Sequence, residues 1–127
     1  VKDWPAGISA ISLFVGDLDA SRVFYQRVFG LPVHFEDNDS VSFRFGDTVL
    51  NLLAKRAVPE LIAPATLAPA GIGASFQVTV NVEDIDGTCA ELTGQGVELL
   101  NGPMDRPWGI RTASFVDPDE YIWEIAT

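Results

Sequence analysis

Hydrophobic and polar residues alternate from Ile8 to Val15 (ISAISLFV) and again from Ser75 to Val82 (SFQVTVNV), the period expected of strands buried on one face. An acidic stretch follows each run, Gly16-Asp17-Leu18-Asp19 in the first and Glu83-Asp84-Ile85-Asp86 in the second. The apolar spacing then changes to three and four residues. Leu18, Ser21, Phe24, Tyr25 and Val28 form one stripe that stops at Gly30, and Ile85, Cys89 and Leu92 form another that stops near Gly94 or Gly96. Asp17 and Asp84 are the predicted N-caps, since a carboxylate there accepts from free N–H groups of the first turn.

Each helix is followed by short runs that predict strands. In the first copy they cover residues 31–36, 41–45 and 48–54, with Asp37-Asn38-Asp39-Ser40 and Gly46-Asp47 as turns. In the second they cover 97–100, 110–116 and 121–126, with Asp117-Pro118-Asp119 as the last turn. The order βαβββ therefore occurs twice, as module one over 7–54 and module two over 74–127. Between them, 55–73 is rich in Ala and Pro and predicts an exposed linker with one short turn of helix.

Bulk properties narrow the function. A chain of 127 residues suffices for one domain, taken as 1–127, and no run approaches the roughly 18 apolar residues of a membrane span. Eight basic against eighteen acidic residues give a net charge of −10, with the basic ones scattered, which makes nucleic acid an unexpected partner. Cys89 is the sole cysteine, so no disulfide forms within the chain. Its place on the helix stripe points to packing, because no histidine stands ready to activate it. With no basic, apolar leader at the start of the sequence, a cytoplasmic location is expected.

Two motifs carry more information in combination. Asp17-Leu18-Asp19-Ala20-Ser21 with Phe24-Tyr25 and Val28-Phe29-Gly30-Leu31 resembles the first helix of the glyoxalase/bleomycin-resistance/extradiol-dioxygenase (vicinal-oxygen-chelate) superfamily. Pro107-Trp108-Gly109-Ile110-Arg111, then Phe115-Val116-Asp117-Pro118-Asp119, then Glu124, resembles its C-terminal strands. Glu120 departs from the glycine usual in the family after Asp-Pro-Asp. The resemblance implies an α+β fold of tandem βαβββ modules, a curled mixed sheet forming an open cup with helices on its outer face. It also implies a homodimer.

Alternation then sorts residues between faces. Ile11, Leu13, Val15, Phe76, Val78, Val80, Trp123 and Ile125 are expected toward the helices. Ala10, Ser12, Phe14, Asn51, Gln77, Thr79, Asn81 and Glu124 are expected in the cup, joined by Val41, Phe43, Phe45, Thr112 and Ser114. Arg111 falls on the opposite face, where an ion pair is its expected role, and the alternation puts no cation in the cup.

By resemblance, enzymes of this superfamily hold a divalent metal at four symmetric strand positions, which correspond here to Ala10, Asn51, Gln77 and Glu124. Alanine has no donor, the two amides are weak ligands, and Glu124 alone is strong, whereas a catalytic metal wants about three good protein ligands and an open site. The single histidine, His34, lies away from these positions as a solvent-facing strand residue. A metal-free cup follows, with a divalent metal disfavoured.

What remains is a candidate ligand site of Phe14, Phe43, Phe45, Asn51, Gln77, Thr79, Trp108, Ser114 and Glu124, with aromatic walls and a few polar groups suited to a planar or cationic molecule. Trp108, between Pro107 and Gly109, suits a stacking platform or a dimer contact equally. The Pro-Trp-Gly-x-Arg run resembles the bleomycin-resistance members, which implies sequestration of an aromatic or cationic natural product or antibiotic without catalysis. The alternative is a glyoxalase-type lyase or isomerase with Glu124 as base or metal ligand. Enzymes that modify anionic drugs such as fosfomycin are disfavoured by the absence of cup cations.

Overall fold

The computed structural model describes residues 3–127. The chain divides into two compact units, one ending at Pro69 and the other beginning at Ala70, a boundary inside the expected linker.

In the first unit, β1 (Ala10–Val15) leads into α1 (Leu18–Phe29), followed by β2 (Phe35–Glu36), β3 (Ser40–Phe45) and β4 (Thr48–Ala54). The Asp17 carboxylate accepts from the Ala20 N–H at 3.0 Å and opens the helix. Gly30 closes it at φ 65°, a left-handed conformation that glycine adopts without steric cost. The sheet order is β1-β4-β3-β2, with β1 parallel to β4 and the remaining pairs antiparallel.

Aromatic residues of α1 and β3 pack together. Tyr25 stacks on Phe29 with ring centroids 5.7 Å apart and meets Phe43 at 6.0 Å, and Phe29 meets Phe45 edge-on at 5.2 Å. Phe43 is completely buried. Val41 stands opposite Leu52 and Phe43 opposite Leu50, and Leu52 and Leu50 stand in turn opposite Leu13 and Ile11. Val41, Phe43 and Phe45 therefore belong to the helix-facing core, which corrects their expected place in the cup. The cause is register: Ser42, between them, is the residue paired with Asn51.

Two further expectations change here. The segment 31–36 forms a strand only at Phe35–Glu36. The linker carries short helix as expected, a 3₁₀ turn (Lys55–Ala57) and α2 (Val58–Ile62), but it is not wholly exposed: Val58 is fully buried, and Pro59 sits in the first turn of α2, where its missing N–H costs nothing.

The second unit repeats the plan with β5 (Gln77–Asn81), α3 (Ile85–Gly94), β6 (Leu99–Asp105), β7 (Arg111–Val116) and β8 (Ile122–Ala126) in the order β5-β8-β7-β6. Asp84 caps α3 through the Gly87 N–H at 3.0 Å. Ile85, Cys89 and Leu92 are its buried stripe, and Trp123, Phe115, Ile125 and Ala113 are buried in the same unit. Burial raises the Cys89 thiol pKa, Asp86 adds to this and Arg111 opposes it. The thiol is held protonated, as suits a packing residue.

Strand β6 runs past the expected end at residue 100 and contains Gly102-Pro103. It tolerates proline because it is an edge strand, and its pairing with β7 shifts register on both sides of Asn101. Gly102 has φ 81°, and a Cβ there would lie 2.5 Å from the Thr112 carbonyl oxygen and 2.8 Å from the Ala113 Cα. No other residue type fits without moving β6 off β7.

Candidate functional site

Each sheet has one face covered by its helix and one that is not. In the first unit the face opposite α1 carries Ser12 paired with Asn51, Asn51 paired with Ser42, and Phe14 paired with Leu53. The Asn51 amide donates to the Ser12 hydroxyl at 3.4 Å, and Phe14 is half-buried. Asn51 and Phe14 thus share this face, while Phe43 and Phe45 lie behind it. Ala10, at the start of β1, offers no donor atom.

The second unit assembles more chemistry. Register aligns Asn101 with Ser114, Ser114 with Glu124 and Glu124 with Thr79, a polar row across all four strands. The Thr79 hydroxyl donates to Glu124 Oε1 at 3.0 Å, which holds that carboxylate in place. Gln77, two residues before Thr79 on the same strand, points to the same side. The next row pairs Met104 with Thr112 and Thr112 with Ala126. Gln77, Thr79, Ser114 and Glu124 are therefore brought together, and Thr112 joins them.

Trp108 stands in a tight turn. The Gly109 N–H donates to the Arg106 carbonyl at 3.0 Å and the Arg106 N–H to the Ile110 carbonyl at 2.7 Å, with Pro107 and Trp108 between. The indole is 68% exposed. The Arg106 guanidinium lies 5.8 Å from its ring centroid, and Arg106 Nε donates to the buried Thr112 hydroxyl at 2.8 Å.

Arg106 corrects the expectation of a face without cations. Strand alternation does not reach it, because the sequence pattern predicts no strand over 101–105. The signal available was Pro-Trp-Gly immediately after an arginine, which marks a turn that holds the arginine at the end of its strand. Asn101 was missed for the same reason; its Oδ1 is buried without a hydrogen-bond partner.

Arg111 lies on the other side. It pairs with Asp86 of α3 at 2.9 Å and with Asp105 at 3.1 Å, and these two carboxylates raise its pKa further. His34 is exposed, with its N–H on the Ser42 carbonyl at 2.8 Å. Among the described residues no group of three or more His, Cys, Asp or Glu side chains could hold a metal ion. Of the four positions at issue, Glu124 alone is a carboxylate, and it is engaged by Thr79. This donor set does not fit a catalytic divalent cation. Among the same residues no helix is long and apolar enough to cross a membrane.

Known proteins share this fold. The family profile described as Glyoxalase/Bleomycin resistance protein/Dioxygenase superfamily matches residues 7–125. A Bacillus subtilis (strain 168) protein, uncharacterized protein YraH, is 34% identical over 119 residues, covering 91% of this chain and 93% of that one. A probable lactoylglutathione lyase of Vibrio cholerae is 29% identical over 117 residues, covering 89% and 84%. A glyoxalase/bleomycin resistance protein/dioxygenase from Nocardioides has a crystal structure with TM-score 0.87 at 26% identity, covering 99% of this chain and 85% of that one. The match runs through both βαβββ modules and confirms the fold that the two motifs implied. The chain belongs to the glyoxalase/bleomycin resistance protein/dioxygenase superfamily.

Proposed function

We propose that the chain is a metal-independent small-molecule-binding protein of the bleomycin-resistance kind, which sequesters a planar organic molecule or antibiotic and performs no reaction on it. The observation that carries this is the face of the second sheet away from α3. One hydrogen-bonded carboxylate, hydroxyls and amides share it, the exposed Trp108 stands in the turn before β7 against Arg106, which bonds Thr112 of this face, and the positions where the family's enzymes keep metal ligands hold one strong donor. A few oriented polar groups next to aromatic area suit recognition. As in many members of the family, the working unit is a homodimer, to be checked by light scattering.

The Vibrio cholerae relative favours a second reading, a glyoxalase-type lyase or isomerase with Glu124 as base. The two readings separate in one experiment. The protein, stripped with EDTA, is mixed with a panel of aromatic compounds while the Trp108 indole N–H resonance is followed, and a parallel sample with divalent metals is assayed for lactoylglutathione formation. Shifts of Trp108 in EDTA without turnover are expected. Metal-dependent turnover abolished by Glu124→Gln would overturn the binding reading in favour of the lyase.

A further inference from the structure

We propose that Arg106 is a specificity-determining residue of this face and selects planar ligands that carry a carboxylate or a similar oxyanion. The inference rests on the binding reading above and names the chemistry of its ligand.

Three arginines among the described residues are half-buried: Arg22, Arg106 and Arg111. Arg22 pairs with Asp19 and Glu36, and Arg111 with Asp86 and Asp105. Arg106 makes no ion pair with any described residue, in a chain with eighteen acidic side chains. Its hydrogen bond to a protein group is through Nε, which leaves the two terminal nitrogens to act as the fork that matches an oxyanion. A guanidinium drawn partly out of water without a carboxylate is costly, and the fold nevertheless fixes it. Thr112, completely buried, anchors one edge, and the Arg106–Gly109 turn sets the indole of Trp108 against it.

The geometry gives the ligand two features. Its ring lies on the exposed indole, and its oxyanion meets the guanidinium beside it. The net charge of −10 repels anions at long range. Salt screens charges beyond roughly 8–10 Å, so the local guanidinium decides binding once the ligand has arrived. The anionic preference also departs from a purely cationic ligand for Glu124, since a molecule carrying both an oxyanion and a hydrogen-bond donor satisfies Arg106 and Glu124 together.

The test uses two probes of one shape, 1-naphthoate and 1-naphthalenemethanol, with affinity read from the Trp108 indole resonance assigned through Trp108→Phe. The wild-type protein is expected to bind naphthoate about tenfold more tightly, the scale of one charge-assisted hydrogen-bonded contact. Arg106→Met should erase that preference, bringing the two probes to equal affinity. Thr112→Val, which keeps the guanidinium and removes its anchor, should erase part of it. Equal binding of both probes by the wild type, or a preference that survives Arg106→Met, overturns the role of Arg106 while the binding face stands. If neither probe moves Trp108, both are overturned.

Discussion

The two modules share one plan and differ in what they place on the face away from their helix. In the first, that face holds Ser12, Ser42, Asn51 and Phe14, with Arg44 two residues beyond Ser42 on β3, its guanidinium donating to the Gly46 carbonyl. In the second, the same topology presents Glu124 held by Thr79, with Arg106 held by Thr112. The cores differ in the opposite sense. The first unit builds an aromatic cluster from Tyr25, Phe29, Phe43 and Phe45, whereas Trp123 and Phe115 are the large buried rings of the second. A repeated backbone plan thus fixes where side chains stand and leaves their chemistry free to diverge. Here a carboxylate and an arginine that are each held by a threonine hydroxyl occur together in module two.

The largest effect expected is at Phe43. If its ring belongs to the first core, Phe43→Ala should cost about 3–5 kcal/mol in denaturant unfolding and leave naphthoate affinity as it was. A small stability cost with lost affinity would return Phe43 to the ligand face. Next is Gly102→Ala, which confronts the Thr112 carbonyl and a positive φ together. It should cost about 2–4 kcal/mol and weaken naphthoate binding, because β6 is the strand that delivers Arg106. Intact affinity would show that Arg106 is placed by its turn alone.

Two smaller tests compare the turns. Glu120 has φ 69°, the one non-glycine residue with positive φ among those described. Glu120→Gly should therefore raise stability by about 0.5–1 kcal/mol, and a loss would mean the side chain makes a compensating contact. In module one, Asp37 accepts from the Asp39 N–H at 2.9 Å and from the Ser40 N–H at 2.8 Å. The Asp39 N–H first, then the Ser40 hydroxyl, lower its pKa from the usual 3.8. A lowered folded pKa stabilises the protein above the unfolded value, and that stability is lost as pH falls through the folded one. Asp37→Asn should flatten the decline in stability below about pH 4, measured by thermal unfolding across an acid series.

The repeat, both helix caps and the end of α1 at Gly30 were legible in the sequence because local chemistry decides them. Asp17, Asp84 and Gly30 act on groups within a turn of themselves. The face of β3 was not legible. Ser40–Phe45 (SVSFRF) alternates cleanly, but which half of the pattern meets α1 depends on pairing with β4, a partner set by register across a turn. Arg106 and Asn101 were hidden by Gly102-Pro103, which marks a strand end in isolation and an edge strand in context. Thr79, Ser114 and Glu124 could be placed on one face because their strands alternate without bulges.

Calorimetric titration of the metal-free protein with Ni²⁺, Zn²⁺, Mn²⁺ and Fe²⁺, with Glu124→Ala as control, tests metal independence most directly. The account predicts no stoichiometric binding to the wild type and no difference between the two proteins. Tight binding of one ion per protomer that disappears in Glu124→Ala would contradict it and move the search to metal-assisted lyase chemistry.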